Sequence, residues 1–214
     1  MSAREGLALE GVTIRLGGRP LVGPLDLAVA PGEAATVMGP SGSGKSTLLA
    51  YVGGFLDPAF AARGRVVVAG RAVEGLPPER RGIGILFQDD LLFPHLTVGG
   101  NLAFGLPADI RGRARRRALV EEALARAGLD GFADGDPATL SGGQRARVAL
   151  MRTLLARPRA LLLDEPFGKL DVALREEVRG FVLAHAKAER LPILLVTHDP
   201  ADAEAAGGRI VRVG

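Results

Sequence analysis

The sequence predicts an α/β domain built on a mostly parallel sheet, and three observations carry that prediction. Short apolar runs alternate along the chain with segments of helical spacing. Two of the runs, Leu161-Leu162-Leu163 and Ile193-Leu194-Leu195-Val196, are apolar throughout, as strands buried on both faces are. A glycine-rich stretch follows one apolar run and an acidic pair follows another, which places the candidate chemistry at strand C-terminal ends.

Taken in order, Leu7 to Ile14 and Leu25 to Val29 read as strands around the turn-rich Gly17-Gly18-Arg19-Pro20. Ala35 to Met38 is a short run entering the glycine loop, and Ser46 to Val52 continues as a helix. Val66 to Val68 and Ile83 to Phe87 are further strands. From Asp90 to Thr139 the character changes. Leu119, Val120, Ala123, Leu124 and Ala127 recur at helical spacing, so this stretch reads as a mainly helical insertion. Ser141 to Leu155 is a helix, and Leu174, Val178, Phe181 and Val182 mark an amphipathic one. Ile210 to Val213 adds a last strand, and no internal repeat is visible.

Composition narrows the function. The 214 residues suffice for one large domain with a full core. No run of 18 apolar residues offers a membrane span, and zero cysteines exclude disulfides and cysteine-ligated metal. The opening Met1 to Gly6 lacks the apolar stretch of a secretion signal, which predicts a cytoplasmic protein. The net charge is only +3, and the lysines are Lys45, Lys169 and Lys187 alone. Five arginines fall within Arg111 to Arg117 without interleaved aromatics, so the run reads as a solvated helix face and predicts no nucleic-acid partner.

Gly39-Pro40-Ser41-Gly42-Ser43-Gly44-Lys45-Ser46-Thr47 fits G-x-x-x-x-G-K-[ST] between a strand and a helix. Glycines there let consecutive amides turn inward around phosphates, and the helix N-terminus adds partial positive charge. Lys45 would bridge the β- and γ-phosphates of a nucleotide, Ser46 would ligate magnesium, and Thr47 would reach the α-phosphate. Asp164 and Glu165 end an apolar strand, where adjacent carboxylates are costly to desolvate unless a cation or a reacting water uses them. Asp164 fits the magnesium side, and Glu165 fits the base that polarises the attacking water. His198 ends the next apolar strand at the same sheet edge, placed to contact the γ-phosphate.

Leu140-Ser141-Gly142-Gly143-Gln144 precedes this acidic strand and supplies a second glycine-rich helix start. With these motifs in this order, nearly the whole chain resembles the ATP-binding subunits of ABC transporters. Gly39 to Thr47 matches the Walker A loop, Leu163-Asp164-Glu165 matches Walker B with its catalytic glutamate, and Leu140 to Gln144 matches the signature. Gln88 matches the loop that senses magnesium and the membrane subunit, Leu170-Asp171 the loop that touches the opposite subunit, and His198 the switch histidine. The resemblance implies an α/β P-loop NTPase fold of the ABC ATPase kind, with a mostly parallel core sheet, a small antiparallel β subdomain and a helical subdomain at about 90–155, within a single domain over 1–214. It implies ATP and Mg2+ as cofactors, and a head-to-tail homodimer in which Ser141 and the amides near Gly142 and Gly143 face the nucleotide held by the other copy.

Phe93-Pro94-His95-Leu96-Thr97-Val98 and Asn101-Leu102-Ala103-Phe104-Gly105-Leu106 resemble the importer branch that moves ferric iron, polyamines, sugars or thiamine. Arg145 to Leu150 and the C-terminus resemble the small thiamine-type subunits and an uncharacterised importer group near them, without the regulatory domain of larger ones. Implied partners are integral-membrane permease subunits and an external substrate-binding protein, at the cytoplasmic face of the membrane. Three positions depart from the family pattern: Leu16 where many relatives carry an adenine-stacking aromatic, Gly168 before Leu170-Asp171, and Gly99-Gly100, which softens a helix start. A chromosome-maintenance ATPase would need long heptad arms, a translation-linked relative two cassettes, and a nucleotide-gated regulatory module the loss of Glu165 or His198. The sequence shows none of these.

Overall fold

A computed structural model describes residues 5–213 in two compact units. Met1 to Arg4, part of the opening read above for targeting, and Gly214 lie outside the described residues. The first unit takes in the chain up to residue 85, residues 159–165, and the chain from 183 onward.

This unit holds two sheets. Strands β1 (Leu7–Leu16) and β2 (Arg19–Val29) form a hairpin closed by Gly17 and Gly18. Their φ angles of 55° and 81° are what a two-residue hairpin turn demands. With β4 (Phe60–Val68) and β5 (Arg71–Ala72) they make an antiparallel sheet in the order β2-β1-β4-β5. Both β2 and β4 are longer than their apolar runs, because their outer ends alternate between covered and exposed residues.

The second sheet runs β6 (Ile83–Leu86), β7 (Ala160–Asp164), β8 (Ile193–Thr197), β3 (Ala34–Met38) and β9 (Arg209–Arg212). Strand β3 pairs in parallel with β8 and β9, and β7 with β8. Every residue of β3 and β8 is buried, which is why their sequences carry no alternation. Helices α1 (Lys45–Gly53) and α6 (Pro200–Ala206) complete the unit. Its core joins both sheets and α1 through residues such as Leu7, Ile14, Val37, Leu49, Leu162 and Val196. Each such burial contributes about 1.5–3 kcal/mol.

One buried charge here was not anticipated. Arg81 is 6% exposed, and its guanidinium donates to four carbonyls: Tyr51 at 2.7 Å, Val52 at 2.9 Å, Glu74 at 2.8 Å and Leu76 at 2.8 Å. Two of those carbonyls belong to the last turn of α1, where a cation also complements the helix dipole.

The second unit comprises residues 86–158 and 166–182. It contains α2 (Val98–Gly105), α3 (Arg113–Arg126), α4 (Gly142–Leu155) and the start of α5 (Val172–Ala188). Asn101, fully buried, pins the loop before α2 by bonding both the N–H and the carbonyl of Phe93 and the carbonyl of Thr97. The start of α2 is firmer than Gly99-Gly100 implied. Thr97 caps it, and the amides of Val98 and Gly99 donate to the carbonyls of Gly135 and Ala133. A Cβ at Gly99 would come 2.8 Å from the Ala133 oxygen, so the glycine admits this close backbone approach. Of the Arg111 to Arg117 run, only Arg116 turns inward, donating to the carbonyls of Ala103 and Ile110. Among the described residues, no helix is long and apolar enough to cross a membrane.

Candidate functional site

The glycine loop leaves the end of β3 and enters α1 through Gly44, in the left-handed region at φ 89°. No side chain among the described residues caps the helix at this end. Two loop glycines are required by contact. A Cβ at Gly39 would fall 2.2 Å from the Val213 oxygen, and one at Gly44 would fall 2.7 Å from Val22 Cγ2. Ser43 is buried, and its Oγ has no hydrogen-bond partner among the described residues. Buried hydroxyls are almost always bonded, so this orphan fits a loop shaped for a ligand with acceptor oxygens.

Around the loop the structure brings together five of the predicted side chains. Lys45, 5% exposed, donates to the carbonyls of Gly39 and Pro40, both at 2.9 Å, and its Nζ lies 3.8 Å from Glu165 Oε1. Ser46 Oγ donates to Asp164 Oδ1 at 3.0 Å. His198 Nδ1 lies 3.1 Å from Glu165 Oε2. Glu165 is held outside the regular strand. Its N–H donates to the Val196 carbonyl at 2.9 Å, while its φ of 46° turns the chain away from β7. A non-glycine residue in that region is strained, and such strain concentrates at functional positions.

Burial raises the pKa of the Asp164 carboxyl above its ordinary value; the Ser46 hydrogen bond opposes this, Glu165 adds to it and Lys45 opposes it. The carboxylate therefore retains charge that the protein does not fully compensate. No cluster of three or more histidine, cysteine or carboxylate ligands exists among the described residues. A carboxylate beside a serine hydroxyl suits magnesium, which binds through one or two carboxylates together with water and substrate phosphates.

The other predicted residues lie in the second unit. Ser141 caps α4 in a reciprocal box: its Oγ accepts from the Gln144 N–H at 3.3 Å, and its own N–H donates to Gln144 Oε1 at 2.8 Å. The hydroxyl proton stays available to an acceptor. Gly143 has a packing reason as well, since a Cβ there would lie 2.5 Å from Leu174 Cδ1. Asp171 Oδ1 accepts from the Leu174 N–H at 3.0 Å, at the start of α5. Gln88 is exposed, in the loop after β6. With Gly142 it lines a cavity of about 150 Å³ whose wall includes Asp89, Asp90, Arg145 and Lys169. Sequence reading missed the pairing of these charges. Arg145 bonds Asp90 at 2.8 Å and Lys169 bonds Asp89. The only signal was their position, next to Gln88, Gln144 and Leu170.

A phosphate-shaped loop at the end of one parallel strand, facing a strand-end carboxylate pair, defines a P-loop nucleoside-triphosphate hydrolase. The comparisons with known proteins narrow that class. The ABC transporter family profile matches residues 22–168. The chain is 49% identical over 199 residues to the uncharacterised ABC transporter ATP-binding protein YnjD of Escherichia coli, covering 93% of this chain and 91% of that protein. It is 46% identical to the Fe(3+) ions import ATP-binding protein FbpC of Streptomyces avermitilis, covering 96% of this chain but 59% of that one. With the putative 2-aminoethylphosphonate import ATP-binding protein PhnT of Salmonella paratyphi A it shares 41% identity, spanning 53% of that relative. Its fold resembles the ATP-binding cassette MJ0796, solved as a dimer in a post-hydrolysis state with ADP and Pi. The TM-score is 0.79 at 31% identity, over 97% of this chain and 94% of that one. The chain belongs to the ABC transporter family, as an ATP-binding and ATP-hydrolysing cassette.

Proposed function

We propose that two copies of this chain close head to tail on ATP and magnesium, and drive import through separate membrane permease subunits. The observation that carries the catalytic reading is Glu165, strained at φ 46° and held between Lys45 at 3.8 Å and His198 at 3.1 Å. Glu165 takes a proton from water as the water oxygen attacks the γ-phosphorus and the bond to the bridging oxygen of ADP breaks. His198 holds the Glu165 carboxylate through Nδ1 and presents its other ring nitrogen to the γ-phosphate. Lys45 and the amides of Gly42 to Thr47, with Pro40 and Ser41 in the same turn, cradle the β- and γ-phosphates. Ser46, Asp164 and Gln88 would hold magnesium, which neutralises charge on the phosphate oxygens.

The second half of each site comes from the partner copy. Ser141, with its free hydroxyl proton, and Gly142, Gly143 and Gln144 at the start of α4 offer an anion-binding helix end, and Asp171 adds a contact across the dimer. The dimeric state of the MJ0796 cassette supports this reading. Import is supported by the names of FbpC and PhnT, and by apolar side chains left in solvent in the second unit: Leu91 is 56% and Phe104 65% exposed, the latter ring 4.6 Å from that of Phe93. Such a face suits a permease segment, and it supports the reading in which the chain works at the cytoplasmic side of the membrane with an external substrate-binding protein completing the importer.

Complementation tests the composite site. Ser141→Arg and Lys45→Ala chains, each inactive alone, should recover hydrolysis when mixed, because some heterodimers carry one site with both defects and one with neither. Phosphate release is measured against mixing ratio, with permease present. Heterodimers that form yet recover nothing would count against the reading. Full activity in the Ser141→Arg homodimer would remove the signature from the chemistry.

A further inference from the structure

His198 follows β8 with its side chain 61% exposed, so packing does not lock the ring, and it meets Glu165 only if the backbone beneath it is fixed. Residues on either side supply that fixing. The Thr197 hydroxyl accepts from the Asp199 N–H at 3.0 Å, a bond that spans His198. The same hydroxyl donates to Asp202 Oδ2 at 3.3 Å. A hydroxyl has one proton, so a carboxylate that takes it leaves the oxygen lone pairs for the Asp199 amide. Asp199 in turn caps α6, its Oδ1 accepting from the Ala201 N–H at 2.8 Å. Thr197 and Asp202 are each 2% exposed. A carboxylate taken so far out of water is costly. Its place in the first turn of α6, where the helix dipole favours an acid, offsets only part of that.

We propose that Asp202 is a positioning residue for hydrolysis: through the Thr197 hydroxyl it fixes the turn that carries His198 to Glu165. The proposal deepens the catalytic reading above and rests on its pairing of those two side chains.

The test follows the three histidines of the full chain, His95, His185 and His198, by NMR of the ring carbons at one fixed pH. His198→Gln identifies the His198 signal. In the natural chain Glu165→Gln should move that signal, because Nδ1 lies against the carboxylate. Thr197→Val keeps the side-chain shape and removes the hydroxyl, and Asp202→Ala removes its acceptor. In either background Glu165→Gln should leave the His198 signal still, with His95 and His185 in their natural positions throughout. Thr197→Ser keeps the hydroxyl and should keep the response. Phosphate release should fall with it: kcat drops about 10²-fold in Asp202→Ala and Thr197→Val, as a misplacement of about 1 Å does, with the KM for ATP unchanged. A His198 signal that still responds in both variants, or an unchanged kcat, would overturn the proposal. So would displacement of all three histidine signals, the mark of a residue that merely holds the fold. A natural chain whose His198 ignores Glu165→Gln would instead overturn the pairing in the catalytic reading, and this proposal with it.

Discussion

The two ends of helix α1 meet opposite fates. At the C-terminal end, Gly54 in the left-handed region donates its N–H to the carbonyls of Ala50 and Tyr51, and Arg81 donates to those of Tyr51 and Val52. The chain there satisfies itself. At the N-terminal end, no side chain caps Gly44 among the described residues, the Ser43 hydroxyl is orphaned, and Asp164 carries incompletely compensated charge. A helix end that stabilises the fold uses the protein's own donors and acceptors, whereas one that binds a ligand leaves them to the ligand. The cost of the second arrangement is stability, and the first offsets it within the same nine residues.

Substitutions at the two ends should therefore separate activity from stability. The largest effect belongs to Glu165→Gln, which should lower phosphate release by about 10² to 10⁴ while ATP still binds and holds a dimer on size-exclusion chromatography. Wild-type turnover, or a monomer with ATP, would remove Glu165 from the role of base. Lys45→Ala should weaken ATP at least about thirtyfold by calorimetry, since losing one member of a buried charge pair costs about 2–5 kcal/mol. Its denaturation midpoint should fall less than on loss of Arg81, since Lys45 donates to two carbonyls where Arg81 donates to four. Arg81→Met inverts the pattern. Four carbonyls lose their donor, so stability should fall by about 3 kcal/mol and Tm by about 9 °C, with ATP affinity of the folded protein intact. A variant as stable as the natural chain would show that Arg81 does not hold this end of the helix.

The smallest effect sharpens it. Because burial raises the Asp164 pKa, the folded chain prefers the protonated acid, and ionised Asp164 subtracts stability. That loss is absent below the ordinary carboxylate pKa of about 4 and grows as pH rises through the higher folded value. Asp164→Asn should thus match the natural chain at acid pH and exceed its Tm at neutral pH, while losing magnesium-dependent hydrolysis. A destabilised Asp164→Asn at pH 7 would show the carboxylate to be compensated by the protein.

What the sequence made legible follows from periodicity and motif geometry. β7 and β8 announced themselves because burial on both faces leaves an unbroken apolar run. The first half of β4 did not, because Arg63 and Arg65 alternate with small residues on a strand covered on one side only. Lys45, Ser46, Asp164, Glu165 and His198 were placed together in advance because strand ends in a parallel sheet converge. Arg81 was opaque, since two of its partner carbonyls come from a helix some thirty residues upstream and backbone oxygens carry no residue code. The same blindness hid Gly99, whose partner is the Ala133 backbone, and the packing of Gly143 on Leu174.

The strand order also sets a schedule for synthesis. β3 carries the nucleotide loop, yet its two neighbours are β8 and β9, which leave the ribosome long after it. The floor under Gly39 is later still, at the Val213 carbonyl. With translation at about 5–20 residues per second, β3 waits on the order of ten seconds for its partners, both edges unpaired. A nascent chain in that interval has no finished loop for ATP to rescue, and a strand buried along its whole length in the fold is left open to other chains.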